Sequence, residues 1–240
     1  MLDADGVAAL GATLDRVQAW PAGSHCWGHY AEESAAGPVI CRTENLSACV
    51  PEIAALVDGP LREVASHALG EPAVAFKDKV NYKQPGGAGF SPHQDLPAYP
   101  GARRVVSVLL AVDACTEESG CLWMADPTDA VLPMDDRGVI TTAASAGLAW
   151  WAAPLAAGDA VCIDGLAPHH SGANRSAAPR RVLVASYAPA AEGYGRDHYY
   201  AERETAMAAT ADAGARISVL GDFEGAQVAP DAQATTHCTH

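Results

Sequence analysis

The sequence predicts a mainly β fold with flanking helices, and three observations carry that expectation. Residues 71–190 hold five short β-rich runs, "AVAFKDKVNYK", "RRVVSVLLAVD", "GLAWWAAPL", "GDAVCIDG" and "RRVLVASYAP", separated by Gly, Pro and Asp. The stretches before them instead repeat apolar residues at helical spacing. Apolar residues make up 49% of the 240 and charged residues 18%, enough for a sizeable core in one domain. Short strands at such intervals build a sandwich or barrel with the helices packed outside.

Taken in order, "LDADGVAALGATLDRVQAW" reads as a first helix, with Asp3 and Asp5 suited to its N-terminus. "PEIAALVDGPLREVASHALG" reads as a second helical stretch, broken at Gly59-Pro60 and stopped by Gly70. Residues 1–70 are therefore expected to be helical, followed by a β core over 71–190. An Ala-rich segment over 197–220 is expected to form a last helix. No repeat and no linker interrupts 1–228, which is expected to be a single domain. The tail 229–240, ending "TTHCTH", is expected to be disordered.

The formal net charge of −14 argues against a protein that reads a nucleic-acid backbone, which needs a clustered basic surface. No apolar run reaches the roughly 20 residues that a bilayer crossing needs, and no charged segment followed by an apolar one opens the chain. The expectation is a cytoplasmic monomer or homodimer whose partner is a small molecule. The seven cysteines, Cys26, Cys41, Cys49, Cys115, Cys121, Cys162 and Cys238, are odd in number and include no CxxC pair, so they are expected to be free thiols.

The chemistry begins in "GGAGFSPHQDLPAYP". His93 and Asp95 lie two apart, so on a strand they share a face, as half of a metal site or as a hydrogen-bonded pair. A second stretch, "GDAVCIDGLAPHHSGANRSAAPRRVLVASY", sets His169 and His170 in a polar, turn-rich segment between two apolar strands. A histidine there could meet His93 and Asp95 across a barrel mouth. Two imidazoles and one carboxylate leave three positions open on a metal, the arrangement of non-haem Fe(II) oxygenases. A structural zinc would call for four closed ligands, whereas a catalytic zinc could use the same three, as in a cupin-type hydrolase or isomerase. A barrel that binds without catalysis is the third class, and a complete triad speaks against it.

Arg180 lies 180 − 169 = 11 residues after His169 and offers a bidentate fork to a carboxylate, such as the far end of 2-oxoglutarate, with Ser171 placed to add a hydroxyl. Arg181, its neighbour on the strand, faces the other way. Lys77, Lys79, Asn81 and Lys83 alternate along "FKDKVNYK", either as a solvated edge or as a pocket wall in which Asn81 and Lys83 meet the keto acid or an anionic substrate group. Phe90 is a pocket wall or a core residue, and Tyr99 and Trp123 face the substrate or simply pack. Arg103 or Arg104 could hold an anionic group. Gly86, Gly87 and Gly89 suit a flexible turn over the site, and Asn174 suits a loop-fixing role.

"PHQD", followed 169 − 93 = 76 residues after His93 by "HHSGANRSAAPRR", resembles the phytanoyl-CoA dioxygenase family of Fe(II)/2-oxoglutarate oxygenases. That family pairs H-x-D with H-x-S-G-x-N-x-S-x-x-x-R. "FKDKVNYKQPGGAGFSPHQD", "VDACTEESGCLWM", "LAAGDAVCIDGLAPHHSG" and "YYAERE" also resemble stretches of bacterial members, so the likeness spans about residues 40–205. It implies a double-stranded β-helix (jelly-roll, cupin-like) core. It implies His93, Asp95 and His169 as ligands of Fe(II), and Arg180 and Ser171 on the distal carboxylate of 2-oxoglutarate, with O2 as co-substrate. His170 stands where the family usually has a small residue. The implied reaction is hydroxylation of an unactivated C–H bond in a small anionic or zwitterionic metabolite, phosphonate or amino-acid-like, with desaturation or ring closure as alternatives set by substrate placement.

Overall fold

Helix α1 (Ala4–Gln18) begins where the Asp3 carboxylate accepts a hydrogen bond from the Gly6 amide at 2.9 Å, one of the amides that a helix start leaves unpaired. The computed structural model describes residues 1–21, 28–34, 37–209 and the backbone of 226–227. The second helical stretch divides at Gly59-Pro60 into α2 (Pro51–Val57) and α3 (Pro60–Leu69), and each starts on a proline whose missing N–H costs nothing there. Gly70 closes α3 at φ 74°, a left-handed conformation that glycine adopts without a Cβ clash.

The helical expectation for residues 1–70 is corrected between these helices. Residues Gly28–Ser34 (β1) and Gly37–Glu44 (β2) form an antiparallel pair. Val39, Ile40 and Thr43 are β-branched and favour extended backbone, and β2 gains a partner in β3 (Ala73–Lys83) through Arg42↔Asn81 and Thr43↔Val80. The remaining strands are β4 (Phe90–His93), β5 (Val106–Ala111), β6 (Leu122–Met124), β7 (Trp151–Ala153), β8 (Ala160–Asp164), β9 (His169–Ser171), β10 (Arg180–Pro189) and β11 (Ala226–Gln227). A short helix α4 (Thr142–Ser145) precedes β7 and α5 (Arg196–Ala209) follows β10. Residues 210–220 of the expected last helix, the tail 229–240, Cys26 and Cys238 lie outside the described residues.

The strands form two antiparallel sheets that face each other as a jelly roll. One has the order β11-β1-β2-β3-β10-β5-β8, the other β4-β9-β6-β7. Along the larger sheet, side-chain alternation sorts residues between two environments. The outward set includes Val80, Tyr82, Val108, Leu110, Leu183 and Tyr187, buried against Leu14, Val17, Ile53, Val57 and Leu61 of the helices. Arg181 also turns outward and ties β10 to α1 and to the loop after β5, through Asp15 at 2.7 Å and Asp113 at 2.8 Å. The inward set, Lys77, Lys79, Asn81, Arg180, Val182 and Val184, lines the space between the sheets. Helices thus close one face of the sheet, and the other is left for a cavity.

Candidate active site

The cavity lies between the two sheets, with a volume of about 420 Å³, within the range of small-molecule sites. His93 ends β4 and pairs in register with His169 at the start of β9, so a strand pairing, rather than sequence proximity, brings the imidazoles together. Asp95 follows β4 by two residues. Its Oδ1 is 3.9 Å from His93 Nε2 and 3.8 Å from His169 Nε2, and one ligand atom from each of the three lies within 4.8 Å of the others.

The surrounding bonds aim these atoms. Nδ1 of His93 lies 2.7 Å from the Ser91 carbonyl and Nδ1 of His169 lies 3.0 Å from the Ala167 carbonyl, so each ring donates there and keeps its Nε2 lone pair directed inward. Burial and the facing His169 ring lower the pKa of His93 to about 3, which leaves it neutral and ready to ligate. Ser107 donates to Asp95 Oδ2 at 2.7 Å and is itself 3.1 Å from Ser186, which leaves Oδ1 for a cation. Burial would raise the Asp95 pKa, but its positive surroundings and the Ser107 hydroxyl outweigh it and keep the carboxylate ionised. Two neutral nitrogens and one anionic oxygen, with room beside them, can hold a divalent ion such as Fe(II) and leave positions for exchangeable ligands.

Arg180 begins β10 in the same cavity. It is buried, and its Nε has no hydrogen-bond partner among the described residues. A guanidinium nitrogen left so is costly unless an acceptor arrives, and a carboxylate is the acceptor that its fork matches. Beside it, Lys83 donates to Ser171 Oγ at 2.8 Å and to the Gly172 carbonyl at 2.5 Å, and its ammonium lies 5.7 Å from the Phe90 ring centre. Burial, reinforced by Arg180, lowers the Lys83 pKa to about 7. This donor set fits the far carboxylate of 2-oxoglutarate, while the His–Asp–His cluster fits iron.

The β9–β10 loop is fixed by Asn174, which is fully buried. Its Nδ2 donates to the carbonyls of Lys83 and Ala178, both at 2.8 Å, and its Oδ1 accepts from the Ser176 amide at 2.9 Å and hydroxyl at 2.6 Å. The glycine-rich turn before β4 packs onto this loop: Gly86 N donates to Asn174 O, and a Cβ on Gly89 would run into the Ser171 carbonyl. That close approach seats β4 against β9.

His93, Asp95, His169, Ser171, Arg180, Asn81, Phe90, Lys79 and Tyr99 all line the cavity. Asn81 Oδ1 there accepts from Arg42 Nε at 3.2 Å. Lys83, expected in the pocket, is not among its lining residues and reaches it only through its bond to Ser171, and two residues expected on the substrate side do not line it either. Arg104 is on the surface, pairing with Glu71 at 2.9 Å and donating to the Leu69 carbonyl at 2.8 Å, where a cation complements the C-terminus of α3. Arg103 is similarly exposed beside Glu192. Trp123 alternates away from the cavity while its neighbour Leu122 faces it, and stacks on its register partner His170, with ring centres 6.1 Å apart. His170 borders the cavity but packs against Trp123 and Trp150 and stands outside the His–Asp–His cluster.

Sequence reasoning missed Arg42, Arg203 and Tyr199 as cavity residues. Arg42 sits in a strand within the segment read as helical, and Tyr199 and Arg203 belong to "YYAERE", where a helical spacing of four was the available signal.

A jelly roll with this cluster at its open side and a buried arginine in its wall belongs to the 2-oxoglutarate-dependent non-haem iron dioxygenases. The chain is a member of the phytanoyl-CoA dioxygenase (PhyH) family, whose model matches residues 1–182. A methylphosphonate hydroxylase from Gimesia maris is 36% identical over 218 residues, covering 88% of this chain and 84% of that protein. A 2-aminoethylphosphonate dioxygenase from an uncultured bacterium is 34% identical over 191 residues, covering 77% and 73%. Among solved structures, EvdO2 from Micromonospora carbonacea var. aurantiaca, complexed with 2-oxoglutarate, superimposes with a TM-score of 0.58 at 28% identity, over 75% of this chain and 80% of that one. Iron and 2-oxoglutarate are accordingly its cofactors and a small molecule its substrate. Among the described residues no helix is long and apolar enough to cross a membrane.

Proposed function

We propose that this dioxygenase hydroxylates a C–H bond of a small phosphonate, with His93, Asp95 and His169 as the iron ligands and Arg180, Ser171 and Lys83 as the clamp on the distal carboxylate of 2-oxoglutarate. The observation that carries the assignment is buried Arg180, which lines the same cavity as the His–Asp–His cluster and whose Nε has no partner among the described residues. A hydrolase using the same triad would have no use for a second carboxylate clamp. The two named relatives above act on phosphonates, and both align over most of this chain.

Bound iron and 2-oxoglutarate supply the oxidation: O2 is consumed, one oxygen enters the substrate C–H bond, and succinate and CO2 leave. The protein's part is placement. The carbonyls of Ser91 and Ala167 fix the imidazole tautomers, and Ser107 orients Asp95. Arg180 would take the far carboxylate of the keto acid, with Lys83 holding the Ser171 hydroxyl beside it, and Phe90 and Val182 line the same cavity. Leu109, Leu122 and Ile163 keep that side of the cavity apolar. Asn81 stands between this clamp and Lys79 on β3, and Tyr99 bounds the substrate side. We further propose that the enzyme works in the cytoplasm, as a monomer or homodimer.

The test is anaerobic titration of the metal-free protein with Fe(II) and then 2-oxoglutarate, followed by the visible metal-to-ligand charge-transfer band. The band is expected, and substrate-dependent succinate release should follow with methylphosphonate or 2-aminoethylphosphonate. Tight zinc binding with no band on adding iron and 2-oxoglutarate would overturn the reading.

A further inference from the structure

The wall of the cavity away from Arg180 carries a concentration of positive charge unusual in so acidic a chain. Arg42 of β2, Lys77 and Lys79 of β3, and Arg203 of α5 all line it. Three of them converge on one buried carboxylate, Glu44: Arg203 Nη1 is 3.1 Å from it, Arg42 Nη1 3.2 Å and Lys77 Nζ 3.9 Å. Burial by itself would raise the Glu44 pKa, but Lys77, Arg203 and Arg42 bring it down to about 2, so three cations meet one firmly ionised acid. Tyr99 and Tyr199 line the same space, and Tyr30 backs Arg203. Lys77 lies 5.5 Å from the ring centre of Tyr99 and 5.4 Å from that of Tyr199, and Arg203 donates to the hydroxyls of Tyr199 and Tyr30.

Lys79 stands apart from the other three. It lines the cavity, yet among the described residues it has neither a hydrogen bond nor an ion pair. Burial, Arg42 and Lys77 push its pKa well below that of an ordinary lysine, and the carboxylates of Asp95 and Glu44, neither within ion-pair distance, do not offset them. It shares the inward face of β3 with Asn81, on the same strand as the keto-acid clamp residue Lys83. The other acid lining this space, Asp136, is exposed at the mouth, and Asp95 belongs to the metal cluster.

We infer that Lys79, surrounded by Lys77, Arg42 and Arg203, forms the subsite for the doubly charged tetrahedral head of the substrate, with Lys79 its principal contact. The inference rests on the dioxygenase reading above and adds to it where the substrate's anion sits. Lys77, Arg42 and Arg203 exceed the one carboxylate of Glu44 by two positive charges, and an anion beside Lys79 would favour its ammonium form as well, so a phosphonate dianion offsets this surplus more fully than a single carboxylate does. The cluster also involves α5, which lies beyond the family-matched residues 1–182, so the contacts that select the anion are partly separate from the segment that carries the common chemistry.

The test measures binding as well as turnover. Calorimetry with methylphosphonate and with acetate, on protein loaded anaerobically with Fe(II) and 2-oxoglutarate, should show methylphosphonate bound more tightly by about tenfold or more, as one additional charge-assisted contact gives. Lys79→Met should weaken methylphosphonate binding by roughly ten- to a hundredfold, leave the charge-transfer band with 2-oxoglutarate intact, and keep or raise the melting temperature, because a half-buried cation without an ion-pair partner has been removed. Lys79→Arg should restore binding. Unchanged methylphosphonate affinity in Lys79→Met, or a wild type that shows the band but binds acetate and methylphosphonate alike, would overturn this subsite while the dioxygenase reading stands. Absence of the band in the wild type would overturn both.

Discussion

His93 and His169 face each other in the β4–β9 pairing, with ring centres 4.2 Å apart and both Nε2 atoms directed to the same oxygen of Asp95. His170, one residue on, packs between two tryptophans. His169→Ala should therefore lose Fe(II) affinity by more than the roughly 10- to 100-fold that follows loss of an outer partner, whereas His170→Ala should bind Fe(II) nearly as the wild type does. Anaerobic Fe(II) titration of the two variants separates them, and the reverse order would refute the ligand assignment.

Ser107 is such an outer partner, holding the Asp95 oxygen that does not face the imidazoles. Ser107→Ala should weaken Fe(II) binding by about 10- to 100-fold while its affinity for 2-oxoglutarate, measured once iron is saturating, stays close to that of the wild type. Equal loss of both would mean that the site has collapsed rather than lost an orienting bond.

Arg180 should matter to the keto acid and not to the metal. Arg180→Met removes a charge-assisted fork worth roughly 3 kcal/mol, so 2-oxoglutarate affinity should fall about 100-fold. Fe(II) affinity, read in the absence of 2-oxoglutarate, should not change.

Lys83 gives the site a pH dependence whose sign follows from its surroundings. Burial and Arg180 lower its pKa to about 7, with Glu32 opposing them and Cys115 and Cys121 also nearby. A lysine is charged below its pKa, and a bound carboxylate favours the charged form. The affinity for 2-oxoglutarate should therefore weaken as pH rises through 7, and at pH 8 binding should take up close to one proton. Calorimetry in two buffers of different ionisation enthalpy counts that proton, and Lys83→Met should abolish it.

Asn174 makes a structural prediction. Asn174→Ala would strip partners from the Lys83 and Ala178 carbonyls and from Ser176 in a buried loop, at a cost of about 2–3 kcal/mol. Urea denaturation should register that loss, and a change below about 0.5 kcal/mol, the scatter of neutral surface substitutions, would show that water replaces the amide.

How much was legible in the sequence depended on whether local pattern or distant pairing decided each feature. The divided helix over 51–70, with its Gly-Pro break and Gly70 stop, and the long strands over 73–83 and 180–189 follow from propensity and periodicity, which act over a few residues. Alternation along those strands also told which side chains share a face, so Arg180 could be separated from Arg181, and Lys79 grouped with Asn81, before any fold was known. The three- and four-residue strands β4, β6 and β9 carry too little pattern to announce themselves, yet their pairing sets the distances around His93, Asp95 and His169. Tertiary structure alone decided that the segment 28–44 extends the larger sheet, that Arg104 caps α3 and Trp123 turns from the cavity, and that Arg42 and Arg203, 161 residues apart (203 − 42), meet at Glu44. Such outcomes come from which elements pack together and from the need of a buried charge for a partner, and neither is written in the order of neighbouring residues.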